Sequence, residues 1–350
     1  MSKRLKFAGK GTLAVALVAG GAVAALALQP SPALAQKKFN MKIGMATIND
    51  PQQEWGEKIG KRLAERSGGR VTYKVFPLSQ LGTIARQVEA TLLGTQEVFL
   101  TPPAFYVGVN QAFMVPDAPG IFVSQKHGND AIRDPEFKTP FLSAAEDKGV
   151  VGAGLIVYEG TSYASTKPIR KPEDIAGLKI RVLASPVERA IPGAWGGTGV
   201  PMNFTEVVPA MQRGVVDACR SSIVAMTGLK FYTVAKFTTV SSGGYIPTAT
   251  WYSKAWLNKL PADLRKMALE IPGELEEEVA EAVRDKVASS HKIWQDDGVE
   301  LIRFSDADQQ RYLAKLRPLG EKILGNHKNP QVRELYEKLK TVAERHRPKG

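Results

Sequence analysis

The chain from residue 177 to residue 218 reads GLKIRVLASPVERAIPGAWGGTGVPMNFTEVVPAMQRGVVDA. Apolar runs of strand length alternate there with helix-length segments. The pattern predicts strands at 178–182, 198–202 and 215–219, and helices at 186–195 and 205–213. Strands that alternate with helices form open sheets. This stretch therefore assigns the chain to the α/β class.

Arg181 stands inside the first of these apolar strands. Removing a guanidinium from water is unfavourable unless an anion meets it, and its planar pair of donors fits a carboxylate. Two partners satisfy this requirement: an Asp or Glu of the protein itself, or a bound organic acid. Phe204, an aromatic residue just ahead of the second helix, belongs to a surrounding pattern that favours the bound acid.

The same alternation of strand and helix precedes this stretch. It predicts strands at 39–47, 70–76 and 97–100 with helices at 51–67 and 82–93, and a further strand at 150–158. A long helical segment rich in Glu and Lys covers 261–294, with a break or kink at Pro272-Gly273. Two α/β units and a long helix predict two lobes with a cleft between them.

The first 35 residues have the composition of a secretory leader. Four Lys and Arg residues within the first ten precede an apolar, Gly/Ala-rich run at 11–28, and Ala33-Leu34-Ala35 follows as a small-residue cleavage signal. We expect cleavage after Ala35, export to the periplasm and a mature chain that is not embedded in the membrane. An uncleaved anchor is the alternative, because the run approaches membrane-spanning length.

Charge and cysteine content limit the classes of partner. The formal net charge is +12, and removal of the leader lowers it to about +8, which favours anionic ligands. No basic run is interleaved with stacking aromatics, so we expect no nucleic acid partner. Cys219 is the only cysteine, which excludes an intrachain disulfide.

Catalytic motifs are missing from the sequence. It contains no Gly-x-Ser-x-Gly elbow and no His-Glu-x-x-His, and its four histidines have no metal-ligand spacing, so we expect them at the surface. The sequence therefore predicts no enzyme, no cofactor and no resident metal ion.

Short motifs in a fixed order cover the mature chain: Ser67-Gly68-Gly69-Arg70-Val71, Phe76-Pro77 with Gln80-Leu81-Gly82, Lys167-Pro168-Ile169, Pro172-Glu173-Asp174, the strand at 177–182, Pro201-Met202 with Glu206-Val207, and Gly214-Val215-Val216-Asp217. Each motif is weak alone, but the ordered set is specific. By this set the chain resembles the DctP-like solute-binding proteins of TRAP (tripartite ATP-independent periplasmic) transporters.

The resemblance implies an extracytoplasmic receptor with a two-lobed periplasmic-binding-protein fold and a long helix spanning both lobes. Lobe I would comprise 36–157 with about 247–286, and lobe II 158–246 with about 287–350. In that family the arginine at position 181 here pairs with the ligand carboxylate, and the aromatic residue at 204 packs on the ligand. The implied partners are a small carboxylate, such as a C4-dicarboxylate, and the small and large TRAP membrane subunits.

The chain departs from the family pattern after the strand at 215–219. Ala218-Cys219-Arg220-Ser221-Ser222 stands where the family commonly continues Gly-Gln-Glu-Asn, so the Ser221 hydroxyl replaces an amide. Arg220 either faces the cleft, where it would meet a second carboxylate, or pairs with a surface Glu or Asp. Sialic acid is disfavoured, because the position of the second arginine in sialic-acid-binding members is close to Thr161.

Four further residues are candidates for the ligand site. Thr101 ends the third strand, and ligands of open α/β sheets bind at the carboxyl ends of strands. Arg86 lies in the helix that follows Gln80-Leu81-Gly82. Trp55 either closes over the cleft or packs in the core, and Tyr245 lies near a predicted crossing between the lobes.

Two other functions remain open at this point. A binding protein for another import or sensory system would share the fold and differ only in its membrane partner. A secreted hydrolase would need a nucleophile and base that the sequence does not display.

Overall fold

Residues 37–349 are described in the computed structural model of the chain, and the predicted leader with its cleavage site at Ala35 lies outside them. Within these residues the strands are β1 (Phe39–Gly44), β2 (Val71–Phe76), β3 (Val98–Thr101), β4 (Val150–Ser165), β5 (Lys179–Val182), β6 (Thr198–Pro201), β7 (Ala218–Ser221), β8 (Phe237–Ser253) and β9 (Glu300–Arg303). The helices are α1 (Pro51–Arg66), α2 (Ile84–Leu93), α3 (Gln125–Arg133), α4 (Pro135–Leu142), α5 (Pro186–Gly193), α6 (Val207–Gln212), α7 (Ile223–Gly228), α8 (Lys254–Leu257), α9 (Ala262–Glu274), α10 (Glu276–Asp296), α11 (Asp306–Gly320) and α12 (Pro330–Arg345).

The strands form one mixed sheet in the order β2-β1-β3-β8-β4-β7-β5-β6, with β9 beside β8. β1 pairs in parallel with β2 and β3, and β5 pairs in parallel with β6 and β7. The predicted β-α-β-α-β order is confirmed in both units. The sheet therefore has a β1–β3 half and a β5–β7 half.

Local sequence signals determine the helix ends in the β1–β3 half. The Asp50 side chain accepts from the Gln53 N–H and caps α1, whereas Thr83 caps α2 in the same way. Gly94 ends α2 with a φ of 78°, a left-handed conformation that glycine adopts without strain. Capping and termination are local effects that depend on the residues next to each helix end.

Two long antiparallel strands, β4 and β8, join the halves. Residues 249–252 of β8 pair with β3 and residues 237–240 pair with β9, while residues 162–165 of β4 pair with β7. Register breaks interrupt the β4–β8 ladder between 157 and 159 and between 160 and 162. The sequence predicted β4 only as far as residue 158 and did not predict β8.

The helical segment predicted at 261–294 is two helices. α9 contains Pro272 and ends at Glu274, and α10 begins after Leu275. α10 contacts the β1–β3 half through a Lys286–Glu54 ion pair with α1. It contacts the other half where the Trp294 indole donates to the Thr227 hydroxyl at 2.7 Å. One helix therefore touches both halves.

The surface position expected for the histidines is wrong for His127. This ring is 1% exposed between α3 and α12, with Nε2 2.7 Å from the Ala343 carbonyl and Nδ1 accepting from the Val123 N–H. Because two backbone partners satisfy both ring nitrogens, the ring is buried without leaving a nitrogen unpaired. Within residues 37–349 no helix combines the length and hydrophobicity needed to cross a membrane.

Candidate functional site

A cavity lies at the carboxyl ends of β1, β3, β5 and β7, between the two halves. Its lining residues are Ala46, Thr47, Gln52, Ile84, Thr101, Pro102, Phe105, Tyr158, Arg181, Leu183, Phe204, Ser221, Ser222, Ala225, Ile246 and Thr248. The carboxyl ends of strands are where open α/β sheets bind ligands. Of the residues predicted from sequence, Arg181, Phe204, Ser221 and Thr101 lie in this lining.

The Arg181 side chain is buried against the cavity with no protein anion. It is 1% exposed, its Nε donates to the Met202 carbonyl at 3.2 Å, and its Nη1 has no hydrogen-bond partner. No Asp or Glu oxygen of residues 37–349 lies within 4.0 Å of the guanidinium. The positive charge is therefore left without a counter-ion among the described residues.

Two aromatic rings flank the Arg181 guanidinium. Its central carbon lies 4.9 Å from the Phe204 ring centroid and 6.0 Å from that of Phe105. Phe204 in turn stacks on Phe231, with centroids 5.1 Å apart. The rings attract the cation through their faces and hold the guanidinium plane, but they do not neutralise its charge.

Arg220 is also buried, but it lies outside the cavity lining. It follows Cys219, the residue that pairs with Arg181 between β7 and β5, and successive side chains of a strand point to opposite faces. Its Nη1 donates to both carboxylate oxygens of Glu188 at 2.5 Å. The sequence placed Arg220 either in the cleft or against a surface Glu or Asp; the structure shows an ion pair, but with Glu188, which is 2% exposed and not at the surface.

Asp117 lies close to this ion pair. Burial, together with the negative charge of Glu188, raises the pKa of Asp117 well above its usual range, and Arg220 opposes the rise. Arg220 therefore lies near two carboxyl groups of the protein, whereas Arg181 forms no ion pair with any described residue.

Three other predicted residues lie outside the lining, because their side chains lie on faces of their helices or strands that do not border the cavity. Trp55 is 0% exposed on the core face of α1, and its indole donates to the Pro272 carbonyl at 3.3 Å. Arg86 is exposed, on the face of α2 opposite to the buried Gln87 and Val88. Tyr245 packs edge-on against Phe122 beside a separate groove.

Sequence reasoning missed a hydrogen-bonded group formed by Asp50, Thr47 and Tyr158. The Tyr158 hydroxyl donates to Asp50 Oδ2 at 2.8 Å, and the Thr47 hydroxyl donates to Oδ1 at 3.0 Å. Burial raises the pKa of Asp50 to about 6, against the lowering effect of these hydrogen bonds and of the Gln53 N–H. Thr47 and Tyr158 line the cavity, and Asp50 lies directly behind them.

Glu159 forms a second such group with Ser222. The Ser222 hydroxyl and the Val224 N–H both donate to Glu159 Oε2. Burial raises the pKa of Glu159 to about 7, and these donors partly oppose the rise. A charged residue beside an apolar segment was the sequence signal that identified Arg181. The same signal is present at Glu159 and could have identified it.

The lining contains no histidine or cysteine. Cys219 is buried, and burial raises its thiol pKa to about 11, which disfavours the thiolate. Within residues 37–349 no cluster of three or more His, Cys, Asp or Glu is arranged to hold a metal ion.

The sequence was compared with known families and the fold with solved structures. Residues 44–326 match the profile of bacterial extracellular solute-binding protein family 7, DctP. The chain belongs to this family. The DctP family members are periplasmic solute-binding proteins and not enzymes.

Several DctP-family relatives are similar over most of their length. The C4-dicarboxylate-binding periplasmic protein DctP of Rhodobacter capsulatus is 32% identical over 254 residues, which cover 71% of this chain and 75% of that protein. A TRAP periplasmic solute binding protein from Desulfovibrio salexigens with bound orotic acid has a TM-score of 0.84 at 23% identity, covering 88% of this chain and 100% of that one. Another from Shewanella oneidensis, with bound succinate, has a TM-score of 0.79 at 24% identity, covering 86% and 99%. These similarities establish the two-lobed fold.

Proposed function

We propose that this chain is the periplasmic receptor of a TRAP transporter and binds a small organic acid in the cavity. The observation that carries the proposal is Arg181, a buried guanidinium without a protein counter-ion that lines the cavity. A buried charge without a partner is strongly unfavourable, so a ligand carboxylate would supply what the protein lacks. The proteins with bound orotic acid and succinate support an acid of this class.

The remaining contacts follow from the lining. Arg181 would hold the carboxylate through two parallel hydrogen bonds, as guanidinium geometry allows. Phe204 would pack against the ligand and orient the guanidinium. The hydroxyls of Ser221 and Thr101 would complete the first set of contacts. Arg86, Trp55, Tyr245 and Arg220 are not part of this set.

The structure has contacts across the cavity that a closed receptor would need. The Ile84 N–H at the start of α2 donates to the Asn203 side chain at 3.1 Å. A Cβ placed on Gly228 would lie 2.0 Å from the Ile48 carbonyl oxygen, so the two backbones touch there. These contacts join the β1–β3 half to the β5–β7 half.

Opening would bend the strands that the halves share. The proposed lobes, 36–157 with about 247–286 and 158–246 with about 287–350, change over where the β4 register is broken near residues 157–162. A ligand drives closure only through its preference for the closed state. The membrane partners would be the small and large TRAP subunits, reached after export and cleavage of the leader at Ala35.

Thermal unfolding of the mature protein against a panel of carboxylates tests the proposal. The protein is first unfolded and refolded to remove any ligand that has co-purified. A bound acid stabilises the native state by about 2.7 kcal/mol at a hundredfold excess over its dissociation constant, which raises the unfolding midpoint. A refolded protein whose midpoint responds to no carboxylate contradicts the proposal.

A further inference from the structure

The cavity lining has a single cationic side chain, Arg181. The other buried arginine nearby, Arg220, is held by Glu188 outside the lining. A ligand with two carboxylates would therefore place the second one where no lining side chain carries a positive charge. Burying an unpaired carboxylate is as unfavourable for a ligand as for a protein.

Three of the six hydroxyl groups of the lining already donate their protons to buried carboxylates. Thr47 and Tyr158 donate to Asp50, and Ser222 donates to Glu159. The backbone N–H of Ala225 donates to the Ser222 oxygen at 3.2 Å, which fixes the direction of that hydroxyl. A hydroxyl has one proton and two lone pairs, so these three oxygens can offer only acceptors to a ligand.

Two buried carboxylates reinforce the acceptor character of these oxygens. Asp50 is 0% exposed and Glu159 is 8% exposed, and no Lys or Arg of residues 37–349 forms an ion pair with either one. Lys286, whose charge is felt at Asp50, is bound to Glu54. A second ligand carboxylate beside Thr47 or Tyr158 would face acceptor oxygens backed by negative charge, and like charges in contact are strongly unfavourable.

The acceptor groups and Arg181 come from different parts of the sheet. Thr47 follows β1 and Arg181 lies in β5, with β3, β8, β4 and β7 between these strands in the sheet order. Tyr158 belongs to β4. The lining between these groups includes apolar side chains, among them Ile84, Phe105, Leu183 and Ile246. Thr101, Thr248 and Ser221 are neutral hydroxyls that can turn either way, and they do not alter the polarity.

We propose that the ligand is a monocarboxylate with an apolar middle and a hydrogen-bond donor, a hydroxyl or N–H, at the end remote from the carboxylate, and that dicarboxylates are excluded. The inference rests on the proposed function, because it takes Arg181 as the carboxylate partner. The donor would bind the Thr47 and Tyr158 oxygens. Asp50 acts as a positioning residue that keeps these oxygens in the acceptor role.

Two matched sets of three acids, measured on the exported protein after refolding, test whether the remote end of the ligand must be a hydrogen-bond donor and not a carboxylate. One triad is 4-hydroxybutyrate, butyrate and succinate, and the other is 4-hydroxybenzoate, benzoate and terephthalate. In the triad that binds, we expect the hydroxy acid to bind most tightly and the dicarboxylate about a hundredfold more weakly by calorimetry. A dicarboxylate that binds as tightly as its hydroxy partner overturns the inference.

The Asp50→Asn variant provides the second readout. Asn caps a helix as well as Asp does, so α1 is retained, but the charge behind Thr47 and Tyr158 is removed. We expect the preference for the hydroxy acid over the dicarboxylate to fall by about tenfold. Asp134→Asn is the matched control, since Asp134 caps α4 outside the lining, and its preference should equal that of the wild type.

The two proposals fail in distinguishable ways. If a dicarboxylate binds tightly and Arg181→Ala abolishes that binding, the receptor function stands and the polarity inference is overturned. If Asp50→Asn leaves the preference unchanged, Asp50 has no positioning role and the inference is overturned in that part. If no acid of either triad or of the wider panel shifts the unfolding midpoint, both proposals fall.

Discussion

Two arginines on neighbouring strands of the same sheet have opposite surroundings. Arg181 in β5 and Arg220 in β7 are each 1% exposed, and Arg181 pairs in register with the residue just before Arg220. Arg220 is neutralised by Glu188, whereas Arg181 has aromatic faces, one carbonyl and a cavity. Burial alone therefore does not identify a binding residue. The missing counter-ion is what makes Arg181, and not Arg220, the candidate ligand-binding residue.

The comparison predicts the largest effect on stability at Arg220. In Arg220→Met the Glu188 carboxylate remains buried without its partner, and we expect the free energy of unfolding to fall by about 3–5 kcal/mol. Denaturant unfolding measures the loss. The double variant Arg220→Met/Glu188→Leu removes both charges and should recover most of it. A single variant as stable as the wild type would remove the distinction between the two arginines.

Substitution of Arg181 should weaken ligand binding and leave the free energy of unfolding nearly unchanged. We expect Arg181→Ala to weaken binding of the acid found by the panel about thirty- to several-thousand-fold, corresponding to about 2–5 kcal/mol. The ligand-free variant should unfold within about 1 kcal/mol of the wild type, because no protein carboxylate loses a partner. Calorimetry and denaturant unfolding separate the two readouts. Unchanged affinity would show that Arg181 does not hold the ligand.

Buried carboxylates that lack an arginine should respond to pH. The folded protein raises the pKa of Asp50 from 3.8 to about 6, so the folded state holds that proton more tightly than the unfolded state. The resulting stabilisation is present below about pH 4 and is lost as the pH rises through 6. The free energy of unfolding of the wild type should therefore fall by about 2 kcal/mol more than that of Asp50→Asn between about pH 4 and pH 7. Parallel pH profiles for the two proteins would contradict this.

A third arginine provides the smallest expected effect. Arg86 is exposed on α2 and lies outside the lining, so Arg86→Ala should change the affinity for the acid by less than about twofold. Calorimetry under the conditions used for Arg181→Ala makes the comparison direct. A large loss would mean that the ligand reaches beyond the cavity described here.

Local signals in the sequence predicted most of the two sheet halves. The alternation of strand-length and helix-length segments that predicted them depends on residues that are close in the chain. β8 was not predicted, because its Thr- and Gly-rich sequence around Pro247 takes its strand conformation from pairing with β3 and β4. Such pairing depends on residues that are distant in the chain.

The candidate site also contains residues that the local sequence identifies and residues whose role depends on contacts between distant parts of the chain. Arg181 was visible because a charge in an apolar strand is anomalous within a few residues. The acceptor role of Thr47 and Tyr158 was not visible, because it requires Asp50 from the start of α1 to meet a residue of β4. Arg220 shared the local anomaly of Arg181, and only the position of Glu188 separates the two.

The position of β8 in the chain has a consequence for folding. β8 lies between β3 and β4 in the sheet, yet it begins about 135 residues after β3 ends and about 70 residues after β4 ends. The central ladder cannot close until residue 253 has been synthesised, and pairings between distant segments form slowly. The centre of the sheet in a nascent chain of this protein would therefore form only late in synthesis.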